Sequence, residues 1–188
     1  MFARTERLLL RPGWVDDAPA LHAAISHEAV ASKLARLPWP YSLADAQDYL
    51  SRPLNLTAPR FLMFARTAGK PRLVGGIGLE ASNCGAELGY WLAPDYWGLG
   101  FATEAGRAVV ELARESLRLP RLVASHFIDN PASGHVLRKL GFQRTGKVVE
   151  RHCPSRGRPI PSPHYVLDLE QDSDCPDDNM GARTLMAA

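Results

Sequence analysis

Two glycines, Gly98 and Gly100, stand between an apolar run (ELGYWLA, residues 87–93) and a helical pattern that begins at Phe101. Glycine lets a backbone turn sharply and lets a ligand approach with no Cβ in the way. A helix that starts there presents unpaired N–H groups at the positive end of its dipole, so the segment has the makings of an anion cradle for phosphate. Thr103 could add a hydroxyl. A second polar group opens the next helical stretch: NPASGH, residues 130–135, brings the Asn130 amide and the Ser133 hydroxyl to a helix start. Asn130 followed by Pro131 also fits a plain N-cap with proline at the first helical position.

Neighbouring chemistries fail on spacing. A dinucleotide fingerprint needs glycine where Thr103 stands and an acidic residue about 20 positions on, after a second strand; neither is present. No Gly-Lys-Ser/Thr follows for a P-loop. Ser133-Gly134-His135 lacks the G-x-S-x-G of a nucleophile elbow. Cys84, Cys153, Cys175, His152 and His164 have no zinc-site spacing, so no metal is expected.

The elements that must hold these groups follow from pattern. A first strand spans residues 5–11, and Asp16 and Asp17 can cap a helix running through Leu21 and Ile25. Ser42-x-x-Asp45 resembles a capping box ahead of a helical piece with Ala46, Tyr49 and Leu50. Residues 60–66 and 72–79 read as strands joined by a turn at 68–71, and 86–93 as the next strand. The clearest helix is 101–117, with Phe101, Ala105, Val109 and Leu112 on one face and Gly106 allowing close approach to a neighbour. A strand at 121–127, a helix at 131–140 stopped by Gly141, and strands at 142–151 and 162–169 complete the order. This predicts an α/β domain over residues 1–170, a mixed sheet of about seven strands with helices on both faces. Residues 171–188 lack periodicity and are predicted to be a disordered tail.

The bulk numbers agree with one soluble domain: 188 residues, 46% hydrophobic, 22% charged, net charge +2. Acidic residues crowd the C-terminal end, so the body ahead of them is more basic than the total. Near-neutral charge gives no broad basic surface for nucleic acid. Three cysteines without C-x-x-C spacing argue against a disulfide framework and for a reducing compartment. No signal peptide or ~20-residue apolar span is visible, so a cytoplasmic protein with no membrane partner is expected.

Residues 87–105 (ELGYWLAPDYWGLGFATEA) and 130–142 (NPASGHVLRKLGF), in this order, resemble the paired motifs of the GNAT superfamily of N-acetyltransferases. The likeness covers residues 5–169. TERLLLRP and WPYSLADAQDYL extend it to the branch containing the ribosomal-protein N-terminal acetyltransferases (RimJ/RimL-like). It implies the GNAT acyl-CoA fold, acetyl-CoA as donor with CoA as product, an amine acceptor on a protein N-terminus or small molecule, and a monomer or homodimer. The family's loop reads Gln/Arg-x-x-Gly-x-Gly/Ala; Gly98 and Gly100 match, but Asp95 departs. A carboxylate cannot donate to phosphate, so backbone N–H groups of Trp97, Gly98, Leu99, Gly100, Phe101, Ala102 and Thr103 would carry the pyrophosphate.

The same resemblance implies that the strand at 86–93 splays from the one at 121–127. Backbone groups of Trp91, Leu92 and Ala93 would then pair with the pantetheine amides as a substitute strand. Asn130 would contact pantetheine or the acceptor-side backbone. Lys139 either reaches a cofactor phosphate or is a solvated helix-face lysine. Ser133 either caps the helix or donates the proton to the leaving thiolate; no tyrosine stands between Tyr96 and Tyr165 to take that role. Glu87 is the candidate general base, with a strand-edge ion pair as its alternative. Glu104 fits an acid matched to the helix dipole, and His126 and His135 fit packing or solvation. Trp39 and Tyr41 would wall an acceptor groove formed by residues 34–56. An α-amine acceptor needs less help than a lysine, whose pKa lies ~2.5 units higher, a deprotonation cost of ~3.5 kcal/mol. The departure at Asp95 leaves a second reading open, a non-catalytic acyl-CoA-binding or regulatory module.

Overall fold

The computed structural model describes residues 1–67, 69–82 and 85–169. The predicted tail at 171–188, together with Cys84 and Cys175, lies outside the described residues. One mixed sheet forms the frame, in the order β1-β2-β3-β4-β5-β6-β8-β7. Its strands are β1 (Ala3–Arg4), β2 (Leu8–Arg11), β3 (Arg60–Ala65), β4 (Arg72–Ser82), β5 (Gly85–Leu92), β6 (Arg121–Ser125), β7 (Gln143–Cys153) and β8 (Arg158–Asp168). The helices are α1 (Ala18–Ile25), α2 (Glu28–Ala31), α3 (Leu43–Ser51), α4 (Phe101–Glu115) and α5 (Pro131–Lys139).

Both faces of the sheet are covered, and this explains the unbroken apolar run of β3. Phe61 and Met63 belong to the core that includes Val109 and Leu137, from α4 and α5. Leu62 and Phe64 join the opposite core, which holds Leu21, Ala46 and Leu50 from α1 and α3. Period-two alternation along a strand buried on both sides gives that division. Gly106 carries the contact between α4 and α5, for a Cβ there would meet Leu140 Cδ1 at 2.6 Å. Gly141, at φ 94, ends α5 as its sequence position predicts. The α3 capping box is complete: the Asp45 N–H donates to Ser42 Oγ at 3.2 Å and the Ser42 N–H donates to Asp45 at 2.8 Å. Such a cap contributes about 1 kcal/mol.

Three features correct the predicted layout. Eight strands are present among the described residues, where about seven were expected, because a two-residue strand β1 lies ahead of the predicted 5–11 strand, which itself forms only from Leu8, with a break between them. Thr5 makes the break: its Oγ1 accepts from the Leu8 N–H at 2.9 Å while its O–H donates to Glu104. Helix α2 is an addition that its four residues gave no periodicity to reveal. Strand β8 begins at Arg158, four residues ahead of the predicted start, despite Pro159, Pro161 and Pro163. The Pro161 carbonyl faces away from β7, accepting from the Ile128 N–H at 2.9 Å. Antiparallel alternation then aims the missing N–H of each of these prolines away from the β7 ladder too, so no bond is lost.

The feature that positions the site lies between β5 and β6. These parallel strands pair only at Ala86↔Leu122 and Glu87↔Val123, and then part. The gap that the family resemblance implies opens immediately past Glu87.

Candidate active site

The loop before α4 turns through two left-handed glycines, Gly98 at φ 77 and Gly100 at φ 82, and Gly100 is the N-cap of the helix. A side chain at either position would be strained. The first α4 bond runs from the Glu104 N–H to the Gly100 carbonyl at 3.0 Å, and no side chain caps the helix. The N–H groups of Phe101, Ala102 and Thr103 are therefore its open donors, at the positive end of the dipole. Trp97 is a correction to the predicted donor set, since its N–H goes to the Pro94 carbonyl at 3.1 Å. Its indole N–H instead donates to the Leu92 carbonyl at 2.8 Å, which ties the loop to the end of β5.

A cavity of about 750 Å³ runs from this loop through the β5–β6 gap to the far face of the sheet. Trp97, Gly98, Gly100, Ala102, Thr103 and Lys139 line its loop end, and Trp91, Leu92, Asn130 and Ser133 its middle. Leu99 is half-exposed and Phe101 buried in the core; neither lines the cavity, so only their backbones bear on it. Ala93 is a second correction. It is buried off the cavity, and its N–H donates to the Val74 carbonyl at 2.9 Å. By antiparallel alternation the Trp91 backbone also points at β4, and the groups facing the gap are those of Tyr90 and Leu92.

Asp95 is exposed and outside the cavity, so the departure from the family motif does not place a carboxylate in the cradle. Cations come from elsewhere. Arg7, Arg107, Lys139 and Thr103 line a depression on the outer side of the Gly100 turn. Arg7 is latched there: its Nε donates to Glu104 at 2.7 Å, its NH1 to the Leu99 carbonyl at 3.0 Å and its backbone N–H to Glu104 at 2.8 Å. Burial pushes the Glu104 carboxyl up, but the bonds from Thr5 and Arg7 outweigh it and hold the carboxyl below its ordinary value. Glu104 is thus more than a dipole-matched acid; it fastens the β1–β2 turn to the cradle.

On the α5 side of the gap, Tyr90 Oη lies 2.6 Å from Ser133 Oγ and 3.2 Å from the Ser133 carbonyl. Sequence reasoning missed Tyr90, because it searched along the chain past Tyr96 and not across the sheet. The alternation of Leu88, Tyr90 and Leu92 toward α4 and α5 was the signal available. Burial pushes the Tyr90 hydroxyl up to about 12 against the lowering effect of Ser133, so it stays protonated at neutral pH. No side chain caps α5, so Ser133 and Asn130 do not serve as its caps, although Asn130 holds the N-cap position ahead of Pro131. His126 bonds the Phe127 carbonyl at 2.8 Å and faces Tyr165 Oη at 3.3 Å. It packs so close to α5 that a Cβ on Gly134 would lie 2.7 Å from its Nε2.

On the opposite face, Glu87 is mostly buried and ion-paired to Arg151 at 2.7 Å, with Ser125 Oγ at 3.4 Å and Arg36 at 3.9 Å. Arg36 also pairs with Glu80, so the 32–38 loop is pinned across the cavity mouth. Tyr41 lines this end, buried, its hydroxyl pushed up to about 12 mainly by burial. Trp39 does not line it, which corrects the predicted groove wall. It packs against the α1–α3 core, and Tyr49 stands on the lining instead. Fully buried Cys153 faces the Ala31 and Ser32 carbonyls, away from the cavity.

A splayed parallel strand pair beside a glycine-capped helix start, joined by one cavity to an acceptor face, defines an acyl-CoA-binding acyltransferase architecture. The family model for the acetyltransferase (GNAT) domain matches residues 7–143. The chain is 28% identical over 175 residues to the uncharacterized N-acetyltransferase YoaA of Bacillus subtilis, covering 87% of this chain and 94% of that protein. It is 30% identical over 163 residues to the uncharacterized N-acetyltransferase p20 of Bacillus licheniformis, covering 83% and 89%. Among solved structures, a GNAT-family acetyltransferase from Bacillus anthracis superposes with a TM-score of 0.77 at 24% identity, covering 90% of this chain and 99% of that one. RimL, the ribosomal L7/L12 α-N-protein acetyltransferase solved with coenzyme A, superposes at 0.76 and 22% identity, covering 92% and 100%. The protein belongs to the GNAT acetyltransferase family and is an acetyl-CoA-dependent acyltransferase. No helix among the described residues is long and apolar enough to cross a membrane.

Proposed function

We propose that this protein is an N-acetyltransferase that transfers the acetyl group of acetyl-CoA to a primary amine by direct attack in a ternary complex. The observation that carries this reading is the single cavity through the β5–β6 gap, with donors for phosphate at one end and an acceptor mouth at the other. Acetyl-CoA supplies an activated thioester. The residues fit it: open N–H groups of Phe101, Ala102 and Thr103 for pyrophosphate, Lys139 and Arg107 for further phosphate charge, and the Tyr90 backbone groups with the Leu92 N–H for pantetheine amides. A binding module would have no use for the acceptor half, and buried Cys153 offers no acyl-enzyme route.

The chain's own groups divide the proton work between the two faces. On the α5 side, Tyr90 can donate to Ser133 Oγ, which frees the Ser133 hydroxyl proton for a departing sulfur. On the acceptor side, Glu87 draws the amine and takes its proton through water, its orientation set by Arg151 and Ser125. General acid and general base help of this kind is worth ~10²–10⁴ in rate each. An α-amine suits a carboxylate already engaged by a guanidinium, because it sheds its proton near neutral pH. The acceptor is a peptide or protein N-terminus or a small amine; relatives include a ribosomal-protein-serine acetyltransferase and, by fold, a spermidine N-acetyltransferase.

The test is thiol release from acetyl-CoA over a panel of short peptides, amino acids and polyamines, with Glu87→Gln in parallel. The expected result is acetylation by the parent, and a loss of turnover in Glu87→Gln with acetyl-CoA affinity kept. Unchanged turnover in Glu87→Gln would remove Glu87 from its role.

A further inference from the structure

Three glycines lie on the acceptor face where β4 meets β5: Gly76 opposite Trp91, and Gly78 opposite Gly89. Two of them have a reason inside the protein. A Cβ on Gly76 would meet the Trp91 indole nitrogen at 2.6 Å, and one on Gly78 would meet the Arg60 Cα and Pro59 carbonyl at 3.1 Å. Gly89 has none. Its φ is not positive, and a Cβ there would meet no heavy atom within 4 Å. Yet it sits exposed to the cavity inside a strand, where glycine packs nothing and weakens the ladder. The fold does not require glycine at 89, so the space above it is free for a ligand.

The open face of Gly89 forms a trough that runs across the strands toward Gly78, over which Arg60 and Pro59 close. Same-face residues two positions away bound it: Trp91 on one side, the opposed pair Glu80 and Glu87 on the other. Its near end is the β5–β6 gap. Its far end is Arg60 on β3, directly opposite Gly78 and two strand spacings, ~10 Å, from β5. The charges along it are unequal. Glu80 and Glu87 are held by Arg36 and Arg151. Arg60 stacks 4.9 Å over the Tyr49 ring and bonds the Pro53 carbonyl at 3.3 Å, with no carboxylate partner among the described residues. A guanidinium presented this way recognises an anion, while the carboxylates nearby are already engaged: Glu80 and Glu87 by arginines, Asp48 by Arg52, and Asp45 by the Ser42 cap.

We infer that this trough is the acceptor subsite, and that it takes a slender primary amine bearing an anionic group roughly 10 Å or slightly more from its nitrogen, the two strand spacings from β5 at the edge of the gap to the strand of Arg60. The inference rests on the acetyltransferase reading and specifies its substrate class. Gly89 keeps the floor clear so that the amine reaches the gap beside Glu87, and Arg60 anchors the far end.

The experiment compares kcat/KM for a tripeptide with a free C-terminal carboxylate, the same tripeptide as its C-terminal amide, and spermidine. The carboxylate form is expected to be preferred over the amide by about tenfold, the scale of one charge-assisted contact. Arg60→Gln is expected to bring that pair to parity. Gly89→Val suits a strand, so it is expected to keep the thermal midpoint and acetyl-CoA affinity while raising KM for both peptides at least about tenfold. Should it unfold, Gly89→Ala carries the same test with a smaller effect. Equal rates for acid and amide, a preference for spermidine, or an unchanged KM in a folded Gly89 variant would each overturn the inference. Acetyl-CoA binding without acetylation of any of the three would overturn it and leave the cofactor site standing; no acetyl-CoA binding would instead sink the acetyltransferase reading itself.

Discussion

Tyr90→Phe removes one hydroxyl from the wall of the gap and little else, because the ring keeps its packing. What it takes away is the partner 2.6 Å from Ser133 Oγ. Without a donor from Tyr90, the Ser133 O–H is free to turn to other acceptors, and its proton is no longer held for the leaving sulfur. A neutral hydrogen bond contributes about 1 kcal/mol net, which corresponds to a fall in kcat of about fivefold. Ser133→Ala removes the proton donor itself and is expected to cost ~10²-fold or more. If Tyr90 acts only through Ser133, the double variant equals Ser133→Ala, and Tyr90→Phe has no effect in that background. Steady-state thiol release gives kcat, and calorimetry with acetyl-CoA checks that affinity is unchanged. Since the Tyr90 hydroxyl titrates only near 12, the alkaline limb below pH ~10 is expected to match between Tyr90→Phe and wild type. Additive losses, or a wild-type kcat in Tyr90→Phe, would refute the pairing.

Gly100→Ala forces an L-residue to φ 82, a strain of roughly 1–2 kcal/mol that falls on the cradle; acetyl-CoA affinity should drop about tenfold, as read by calorimetry. Glu104→Gln breaks the charge-assisted contacts from Thr5 and Arg7, and a loss of about 2 kcal/mol in chemical denaturation is expected after allowing for the half-exposed arginine. The Glu104 carboxyl is held low in the fold, so its contribution is full above its unfolded value of about 4.5 and vanishes as pH falls through the lower folded value. Acid titration of the thermal midpoint should accordingly be shallower in Glu104→Gln than in wild type. Gly134→Ala drives a Cβ to within 2.7 Å of His126 Nε2, and a lowered midpoint with reduced kcat is expected as α5 shifts away from β5.

Much of the frame was legible because local chemistry and global fold agree. Gly98 and Gly100 announced a sharp turn into a helix, Ser42 and Asp45 a capping box, and Gly141 a helix stop. What failed depended on contacts across the sheet. Arg7 is one charge among many near the start of the chain, and only the fold carries it to the Gly100 turn, 93 positions later in sequence. Trp39, set among prolines, suits a groove wall and a core equally well, and the packing of α1 and α3 decided for the core. Backbone direction on β5 is set by its pairing with β4, so which of Tyr90 to Ala93 faces the gap could not be read from residue types. Tyr90 gave no sign of a role in the sequence, since only the packing of α5 sets Ser133 against it.

The most direct test of the central claim is calorimetric titration of the purified protein with acetyl-CoA, with NAD as comparator and Gly100→Ala alongside. Saturable binding of acetyl-CoA but not NAD, weakened by the Gly100 substitution, is the predicted result. Absence of acetyl-CoA binding, or binding indifferent to Gly100, would contradict a cofactor cradle at the start of α4.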